Sequence, residues 1–413
     1  MERSAVYNKN LTPVVYSGES GYLAILKKMV EKYGWKVASQ DNNGNITTLK
    51  RGGAEIHIED DGRLEFVSTA QKDLSCLCKE YQAYIHDTNE ISKGFDISWL
   101  SMGWQPFALN KEIIYAFPKK NKLHHDFFQK HFPDYQEAIY SMWEKKSNSV
   151  HVNIDYTSEV DAINKFQTLL KISPILVAMF ANSPLDAKKH YGLLINSYRS
   201  RLLSCPHRTQ IQESFFQKDY SFDKWVDFLL DLPMRRIVRN GKIVFVPLSF
   251  REFLTDGFHG HTANIEDFNL HTKSFWGELR IKKYIEYRGF DTVPPHLMPS
   301  IPALIRSLTL NPDTMQKCQN LVKDWTFTNQ LEMREKVYKY ALQAETPDNR
   351  KVLDFAKELL NIASKTLAEE SDLLLPIKKY ICEREQSPSE YVMQMWDGEW
   401  NQDPKKLLSW LSN

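Results

Sequence analysis

The 413-residue sequence has few cysteines and almost no net charge. Its 5 cysteines are odd in number and sparse, which suits a reducing cytosol better than a disulfide framework. Lysine and arginine number 53 and aspartate and glutamate 52, so no overall field would attract nucleic acid or an anionic membrane. The sequence has no apolar run long enough for a membrane span and no signal-peptide core at its start. We therefore expect a cytoplasmic protein in which any phosphate chemistry depends on local clusters.

Motifs of the common nucleotide-binding and hydrolase folds are also missing. The sequence contains no Walker A loop, no GxGxxG after a strand and no GxSxG elbow. Cys76-Leu-Cys78 lies in a probable helix without a second ligand pair, and His259-Gly-His261 is more typical of a glycine-rich loop than of a metal pair. His124 and His125 are predicted at the surface.

The predicted elements mix helices unevenly with hairpins, which favours an α+β fold over a regular βαβ fold. Helices are predicted over 19–33, 73–91, 158–180 and 223–230, and the pattern from about residue 300 onward is almost wholly helical. Residues 190–215 are basic and are predicted to form a loop. We expect one catalytic domain over 1–413, in which 300–413 is a mostly helical flanking part.

The segment 278–291 carries the most informative pattern. As one strand with a period of two, it places ionisable side chains of both signs on a single face: Glu278, Arg280, Lys282, Tyr284, Glu286 and Arg288. Such a row can be a solvated face with cross-strand ion pairs. It can equally be the wall of a polar active site that binds metal and phosphate.

Two further segments favour the active-site interpretation. In 149–156, His151, Asn153 and Asp155 alternate with apolar residues. In 54–66, two strands with charged outer faces flank the turn Asp61-Gly62, which predicts a β-hairpin. A curved sheet with one polar concave face would explain all three segments. Carboxylates on adjacent strands are suitable ligands for Mg²⁺.

Several motifs, in order along most of the chain, resemble the plant and proteobacterial type of glutamate–cysteine ligase, a family of ATP-dependent carboxylate–amine ligases. They are Ile58-Glu-Asp-Asp-Gly-Arg-Leu-Glu65, Val150-His-Val-Asn-Ile-Asp155, Phe180-Ala-Asn-Ser-Pro184, Tyr198-Arg-Ser-Arg201, Asp231-Leu-Pro-Met234, the charged segment 278–291, Ser387-Pro-Ser-Glu390 and Met395-Trp-Asp-Gly-Glu-Trp400.

The resemblance implies a curved, mostly antiparallel sheet that holds Mg²⁺, ATP and amino acids on its concave face, with helices packed outside. The implied reaction has two steps. ATP phosphorylates the γ-carboxylate of glutamate, and the amine of cysteine then displaces phosphate, which gives γ-glutamylcysteine for glutathione biosynthesis. The implied partners are small-molecule substrates, without nucleic acid or membrane, in a monomer or homodimer.

The resemblance also implies roles for individual residues. Metal ligands would be Glu2, Glu59 and Glu65. Catalytic contacts to phosphate would come from Arg280 and Arg288, oriented by Glu286, because a guanidinium fork suits phosphate oxygens; Lys282 would join these two arginines in binding ATP. Substrate contacts would come from Arg199, Arg201, Tyr198, Asn153, Asn182 and His151. Taken alone, each arginine would more simply form an ion pair within the fold.

Three positions depart from the family pattern. The family begins with a Glu-x-Glu pair, of which Met1-Glu2-Arg3 supplies only the second glutamate, so we expect either a truncated start or a missing metal ligand. His151 stands where the family usually has glutamine, and Asp60-Asp61 replaces the usual Pro-Gly before Gly62. Two alternatives therefore stay open: a relative that uses another amine or acid, and a catalytically silent relative that binds nucleotide.

Overall fold

A computed structural model describes residues 1–412, apart from the side chains of residues 368 and 369, so the last residue of the predicted domain lies outside the described part. The strands are β1 Glu2–Arg3, β2 Ala5–Tyr7, β3 Lys36–Gln40, β4 Ile46–Arg51, β5 Ala54–Ile58, β6 Leu64–Val67, β7 Ile97–Trp99, β8 Ser149–Ile154, β9 Leu185–Asp186, β10 Lys189–His190, β11 Arg236–Arg239, β12 Lys242–Phe245, β13 Leu279–Ile281 and β14 Ile285–Asp291.

The helices alternate with these strands up to residue 291 and then continue alone. They are α1 Tyr22–Tyr33, α2 Leu74–Lys93, α3 Pro118–His131, α4 Glu137–Lys146, α5 Glu159–Met179, α6 Asn196–Ser204, α7 Pro206–Thr209, α8 Phe222–Asp231, α9 Phe250–Asp256, α10 Ile265–His271, α11 Ser300–Thr309, α12 Pro312–Leu321, α13 Phe327–Tyr340, α14 Val352–Leu367, α15 Leu375–Lys378, α16 Pro388–Asp397 and α17 Pro404–Ser412.

Two antiparallel sheets organise the chain. The first has the order β1-β6-β5-β4-β3 and the second the order β13-β14-β8. The polar strands predicted to share one sheet are therefore divided between two. The α+β class is confirmed, and the helical character beyond residue 300 is confirmed as well. No helix within residues 1–412 is long and apolar enough to cross a membrane.

The predicted hairpin is present in the first sheet and brings its charged residues into register. β5 and β6 pair antiparallel, with His57 opposite Glu65, and β1 adds Glu2 on the other side of Glu65. Gly62 has a φ of 98° and lies 3.0 Å, measured from an added Cβ, from the side chain of Tyr16. Because the backbone is left-handed and closely packed here, the turn requires glycine.

The prediction of one continuous strand over 278–291 was wrong. The segment is a hairpin of β13 and β14, in which Arg280 lies directly opposite Glu286. Arg280 Nε donates to Glu286 Oε2 over 2.5 Å. An opposite-charge pair in this register stabilises the hairpin, so the alternation of charges specifies a turn at 282–284 as well as a polar face.

Glu278 precedes β13 and lies in the buried core beside α5. Its carboxylate accepts hydrogen bonds from Ser173 Oγ at 2.6 Å and from the Tyr198 hydroxyl at 2.9 Å. Arg334 of α13 donates from Nε to Glu278 Oε1 over 2.6 Å. Glu278 therefore ties the second sheet to the helices instead of joining a polar face with Arg280.

Two other expectations were also wrong. Residues 190–215 contain the helices α6 and α7, and Pro206 begins the second of them, where its fixed φ suits a first turn. His124 and His125 are buried in α3, against aromatic rings. By contrast, α1 ends at Gly34 in the left-handed region and α5 begins with Ser158 capping Asp161, as the sequence predicts.

We expect Arg334→Met to lower the free energy of unfolding by about 3–5 kcal/mol, because it leaves the buried carboxylate of Glu278 without its cation. Urea denaturation followed by tryptophan fluorescence would measure the loss. Arg306→Ala is the control: its ion pair with Glu370 is more than a third exposed, so its loss should cost less than about 1 kcal/mol. Equal losses in the two variants would contradict the structural role of the Glu278 contact.

Candidate active site

A polar cavity of about 320 Å³ lies where the two sheets meet α3, α4 and the end of α6. This volume falls in the range of small-molecule sites. Its walls are rich in charged side chains of both signs. They also contain an aromatic patch of Tyr140, Trp143 and Trp276. The lining residues are Glu2, Glu59, Asp60, Arg63, Glu65, Lys120, His124, Tyr140, Trp143, Glu144, Ser147, Ser149, His151, Arg201, Arg235, Arg236, Trp276, Arg280, Glu286 and Arg288.

Glu2 connects the two sheets at the cavity. It lies on β1 of the first sheet, and its Oε2 accepts a hydrogen bond from the backbone N–H of Ser149 on β8 over 3.0 Å. The backbone carbonyl of Glu2 accepts a second hydrogen bond, from Thr292 Oγ1 over 2.8 Å. The carboxylate is therefore buried and held in one position at the joint between the sheets.

Three glutamates and one histidine form one wall and are called the acidic group below: Glu2, Glu59, Glu65 and His151. One ligand atom from each of Glu2, Glu65 and His151 lies within 4.8 Å of the others. Burial and the nearby carboxylates of Glu65 and Glu2 raise the pKa of Glu59 well above its usual value. Clustered carboxylates that repel one another in this way form a site for a hard, oxygen-seeking cation such as Mg²⁺.

Arg63 is the cation that accompanies this acidic group. Its Nη1 donates to Asp61 Oδ1 over 2.5 Å and to the carbonyl of Glu144 over 2.6 Å. Its Nη2 lies 3.4 Å from Glu2 and 3.8 Å from Glu59. One guanidinium therefore faces several carboxylates, which leaves the wall with an excess of negative charge that a bound divalent cation would offset.

Three arginines and Glu286 form the opposite, cationic group. Arg280 and Arg288 lie on the β13–β14 hairpin, and Arg201 reaches the cavity from α6. Although burial opposes the effect, the guanidinium groups of Arg288 and Arg280 hold the pKa of Glu286 well below its usual range. Glu286 is therefore a fixed anion that orients Arg280, with the Arg288 guanidinium 3.6 Å away.

The cationic group has hydrogen-bond donors that the protein does not use. Arg201 donates from Nη1 to the carbonyl of Arg288. Within residues 1–412, Arg201 Nε and Nη2 and Arg288 Nε are buried without a hydrogen-bond partner. Buried unpaired donors are costly, and an anionic ligand such as a carboxylate or phosphate would satisfy them. This is the arrangement that planar guanidinium groups favour for such ligands.

A second basic group, Lys120, Arg235 and Arg236, extends the cavity toward α3 and β11. Arg236 Nη1 lies 2.8 Å from His124 Nε2, so this nitrogen of His124 is the acceptor. Burial and the cations Arg235 and Arg236 lower the pKa of His124 to about 3. Arg235 packs with its guanidinium 5.0 Å from the Trp276 ring. Lys120 is paired with Asp60 over 3.2 Å, so the positive charge of Arg235 and Arg236 is what suits this end of the cavity to an anion.

The structure brings eight of the predicted site residues to the cavity: Glu2, Glu59, Glu65, His151, Arg201, Arg280, Glu286 and Arg288. Five others do not line it: Asn153, Asn182, Tyr198, Arg199 and Lys282. Asn182 is buried and donates to the carbonyls of Ser101 and Thr292. Asn153 is exposed on β8, and Tyr198 donates to Glu278 in the core. Lys282 contacts Glu286 over 3.3 Å from the edge of the cavity.

Sequence reasoning missed a further set of lining residues, most of which lie on helices and loops: Arg63, Lys120, His124, Tyr140, Trp143, Glu144, Ser147, Ser149, Arg235, Arg236 and Trp276. One signal was available. Arg235-Arg236 directly follows the motif Asp231-Leu-Pro-Met234, and a pair of arginines beside a motif indicates a possible anion contact. Glu144 lies in a helix whose sequence has no comparable mark.

A cavity with a carboxylate wall, facing guanidinium groups with free donors, is suited to an enzyme that joins anionic substrates with the help of a metal. Comparison with known proteins identifies this class: the protein is an ATP-dependent ligase. The chain belongs to glutamate–cysteine ligase family 2, whose family model matches residues 1–402.

Individual relatives agree with this assignment. A glutamate–cysteine ligase of Brassica juncea is 28% identical over 387 residues, which cover 92% of this chain and 73% of the relative. One of Medicago truncatula is 28% identical over 404 residues, or 95% and 77% of the two chains. The crystal structure of a glutamate–cysteine ligase of Francisella tularensis in complex with AMP covers 100% of this chain and 86% of its own, with a TM-score of 0.57 and 11% identity; at that identity it shows the fold alone.

The expectation of a cytoplasmic location was wrong. The plant relatives are named as chloroplastic proteins. A near-neutral composition does not distinguish the cytosol from a plastid.

We expect Glu65→Gln to weaken Mn²⁺ binding by about 10- to 100-fold, because it removes one negative ligand from the acidic group. Titration of the free protein with Mn²⁺, followed by electron paramagnetic resonance, measures this without turnover. Glu55→Gln is the matched control: it lies on the same hairpin, with its side chain 45% exposed beside His57. Equal affinities of the two variants would exclude Glu65 as a ligand.

Proposed function

We propose that the protein is a glutamate–cysteine ligase that uses ATP and Mg²⁺ to join the γ-carboxylate of glutamate to the amine of cysteine through a γ-glutamyl phosphate. The product would be γ-glutamylcysteine, the first dipeptide of glutathione biosynthesis. The observation that carries the proposal is the cavity itself, in which a carboxylate wall and three arginines line one space. Two of these arginines, Arg201 and Arg288, have buried donors without a hydrogen-bond partner in the described residues.

The two walls match the charges of this reaction. Bound Mg²⁺ would neutralise phosphate oxygens while the phosphoryl group moves. Glu2, Glu59 and Glu65 would hold the metal. Arg280 and Arg288 would bind the transferring phosphoryl group or the acyl phosphate, with Glu286 fixing their orientation. Arg201 would bind the carboxylate of the acid substrate, because its unpaired Nε and Nη2 form one edge of the guanidinium fork.

ATP is the nucleotide that this arrangement and the family support. The second basic group, with Lys120, Arg235 and Arg236, would receive further phosphate oxygens, and the aromatic patch beside it would give a base or sugar an apolar surface. The similar fold from Francisella tularensis was crystallised with AMP, which is consistent with an adenine nucleotide as substrate.

The assembly of the active protein is part of the same proposal. The two sheets would form one curved surface whose polar side faces the substrates, and the helices beyond residue 300 would support it within one catalytic domain over 1–413. The active form would be a monomer or homodimer.

A different amine is the second candidate, because His151 occupies the cavity 3.6 Å from Glu65 at the position where the family pattern has glutamine. A ring nitrogen there changes the hydrogen bonds that a substrate meets. The acid-activating half of the mechanism would be unchanged.

Phosphate release from Mg-ATP with glutamate and a panel of amines tests the proposal. We expect strong stimulation by cysteine and detection of γ-glutamylcysteine by mass spectrometry. Stimulation by another amine would retain the ligase mechanism and change the product. Absence of phosphate release with every acid and amine in the panel would refute the proposed function.

Arg288→Lys should lower kcat by about 10²- to 10³-fold, because a lysine cannot reproduce a planar donor pair aimed at developing charge. Steady-state phosphate release at saturating ATP would measure it. Arg199→Lys serves as the comparison. The resemblance implied a substrate contact for Arg199, whereas the structure leaves it outside the cavity, so we expect kcat/KM for glutamate to stay within about twofold of the original protein. A large loss in Arg199→Lys would restore the substrate role.

A further inference from the structure

Glu144, near the end of α4, carries a carboxylate on the cavity wall that the roles above do not use. The Tyr115 hydroxyl donates to Glu144 Oε2 over 3.0 Å, and His125 Nε2 lies 3.0 Å from the same oxygen. On the far side of the ring, the Tyr135 hydroxyl lies 2.5 Å from His125 Nδ1. The network thus runs from the cavity through a buried histidine to two tyrosines.

The hydrogen bonds fit a neutral His125. With the Nε2 proton donated to Glu144, Nδ1 is free to accept from the Tyr135 hydroxyl. Glu144 then has two neutral donors and, within residues 1–412, no lysine or arginine nitrogen within 4 Å of its carboxylate. The adjacent Lys145 donates to the carbonyl of Asn110 instead, over 3.1 Å. A buried carboxylate without a cation is costly, and a cationic group of a substrate would offset that cost.

The other carboxylates of the cavity already have cations or a metal role. Glu286 is paired with Arg280 and Arg288. Asp60 is paired with Lys120. Burial opposes the effect, but Lys120, Asn121 and Arg63 together lower the pKa of Asp60. The three glutamates of the acidic group are the proposed metal ligands. Among the lining carboxylates without a proposed metal role, Glu144 is the one that has no lysine or arginine partner in the part of the chain that the structure describes.

The two histidines that line the cavity already contact charged neighbours. His124 accepts from Arg236 through Nε2, next to Arg235, so a further positive charge there would be repelled. His151 belongs to the acidic group beside Glu65. Neither histidine is therefore placed to take up a proton from a bound cation.

The proposed reaction requires such an acceptor. An amino acid carries an ammonium group at neutral pH, and the nitrogen must lose a proton before its lone pair can attack the acyl phosphate. We propose that Glu144 binds the ammonium group of the amine substrate and takes its proton. The nitrogen then forms the new C–N bond, the bond from the acyl carbon to the phosphate oxygen breaks, and phosphate leaves with the electron pair. The second proton of the nitrogen, which the amide does not retain, passes to the leaving phosphate.

This role rests on the proposed function and names the residue that activates its second substrate. Tyr115 and His125 act as positioning residues, since both contact the same carboxylate oxygen, Oε2. Tyr115 is half-buried, so the network also leads from the cavity wall toward solvent, where the accepted proton can be released.

Hydroxylamine, used as the nucleophile in place of the amino-acid amine, tests whether Glu144 acts on the ammonium group. It is unprotonated at neutral pH and attacks acyl phosphates without a base. We expect Glu144→Gln, which keeps the shape and an acceptor oxygen, to lower kcat with the amino-acid amine by about 100-fold or more, and to leave γ-glutamyl hydroxamate formation within about threefold of the original protein. Glu137→Gln is the matched control, since Glu137 is exposed in the first turn of the same helix.

The other outcomes overturn the role. An equal loss with both nucleophiles would mean that Glu144 only supports the wall. Unchanged rates with both would exclude it from the reaction, and a higher KM for glutamate alone would place it at the acid substrate. Tyr115→Phe is a second, milder variant that retains the ring. It should lower the rate with the amine by about three- to tenfold and not the rate with hydroxylamine. An original protein that makes neither product would refute the proposed function itself.

Discussion

The contact between Glu2 and the backbone of Ser149 is the interaction on which the site depends. The five-stranded and three-stranded sheets do not share a ladder of hydrogen bonds, so their relative position at the cavity is set by side chains. Glu2 Oε2 accepts from Ser149 while the backbone of the same residue accepts from Thr292. This double contact places the carboxylates of one sheet opposite the guanidinium groups of the other.

Holding charges of each sign on separate walls carries a cost that internal contacts offset only in part. Arg201 and Arg288 retain unpaired buried donors, and burial together with the nearby carboxylates of Glu65 and Glu2 raises the pKa of Glu59. If the walls closed on each other, these groups would neutralise one another. The arginine–glutamate pairs within the hairpin and the buried Glu278–Arg334 contact instead keep the scaffold rigid while the cavity stays open. Contacts with a bound ligand would offset the free-energy cost of these unpaired groups, which contacts within the fold leave uncompensated.

The sequence predicts the strand-borne half of the site and misses the rest for a physical reason. Alternation along a strand identifies polar faces that include Glu59, Glu65 and His151, but it places Glu55 and His57 beside Glu59 equally well. The family resemblance, and not the alternation, selects the three that line the cavity. A helix separates residues two apart by about 200°, so of Arg199 and Arg201 in α6, only Arg201 lines the cavity. The motif contains both arginines, and the prediction of a loop at this segment gives no geometric reason to prefer one of them. Glu144 lies on α4, and Arg235 and Arg236 lie next to and on β11, outside the strands that carry the polar pattern. Only tertiary packing brings these three residues to the same cavity.

The positions that depart from the family pattern have unequal consequences for the substrate. Asp60 and Asp61 add two carboxylates beside the acidic group, but each is paired, with Lys120 and Arg63 respectively. These cations neutralise the two added carboxylates. The departure at the hairpin turn therefore alters the contacts that stabilise the turn, and it changes the net charge that a substrate meets very little. His151 differs, since it lines the cavity itself, where a substrate would meet its ring instead of the amide of a glutamine. Among the departures, His151 is therefore the one that bears on which amine is accepted. Glu144 would take a proton from the ammonium group of any amino acid, so its role and the identity of the amine are separate questions that the two nucleophile assays address together.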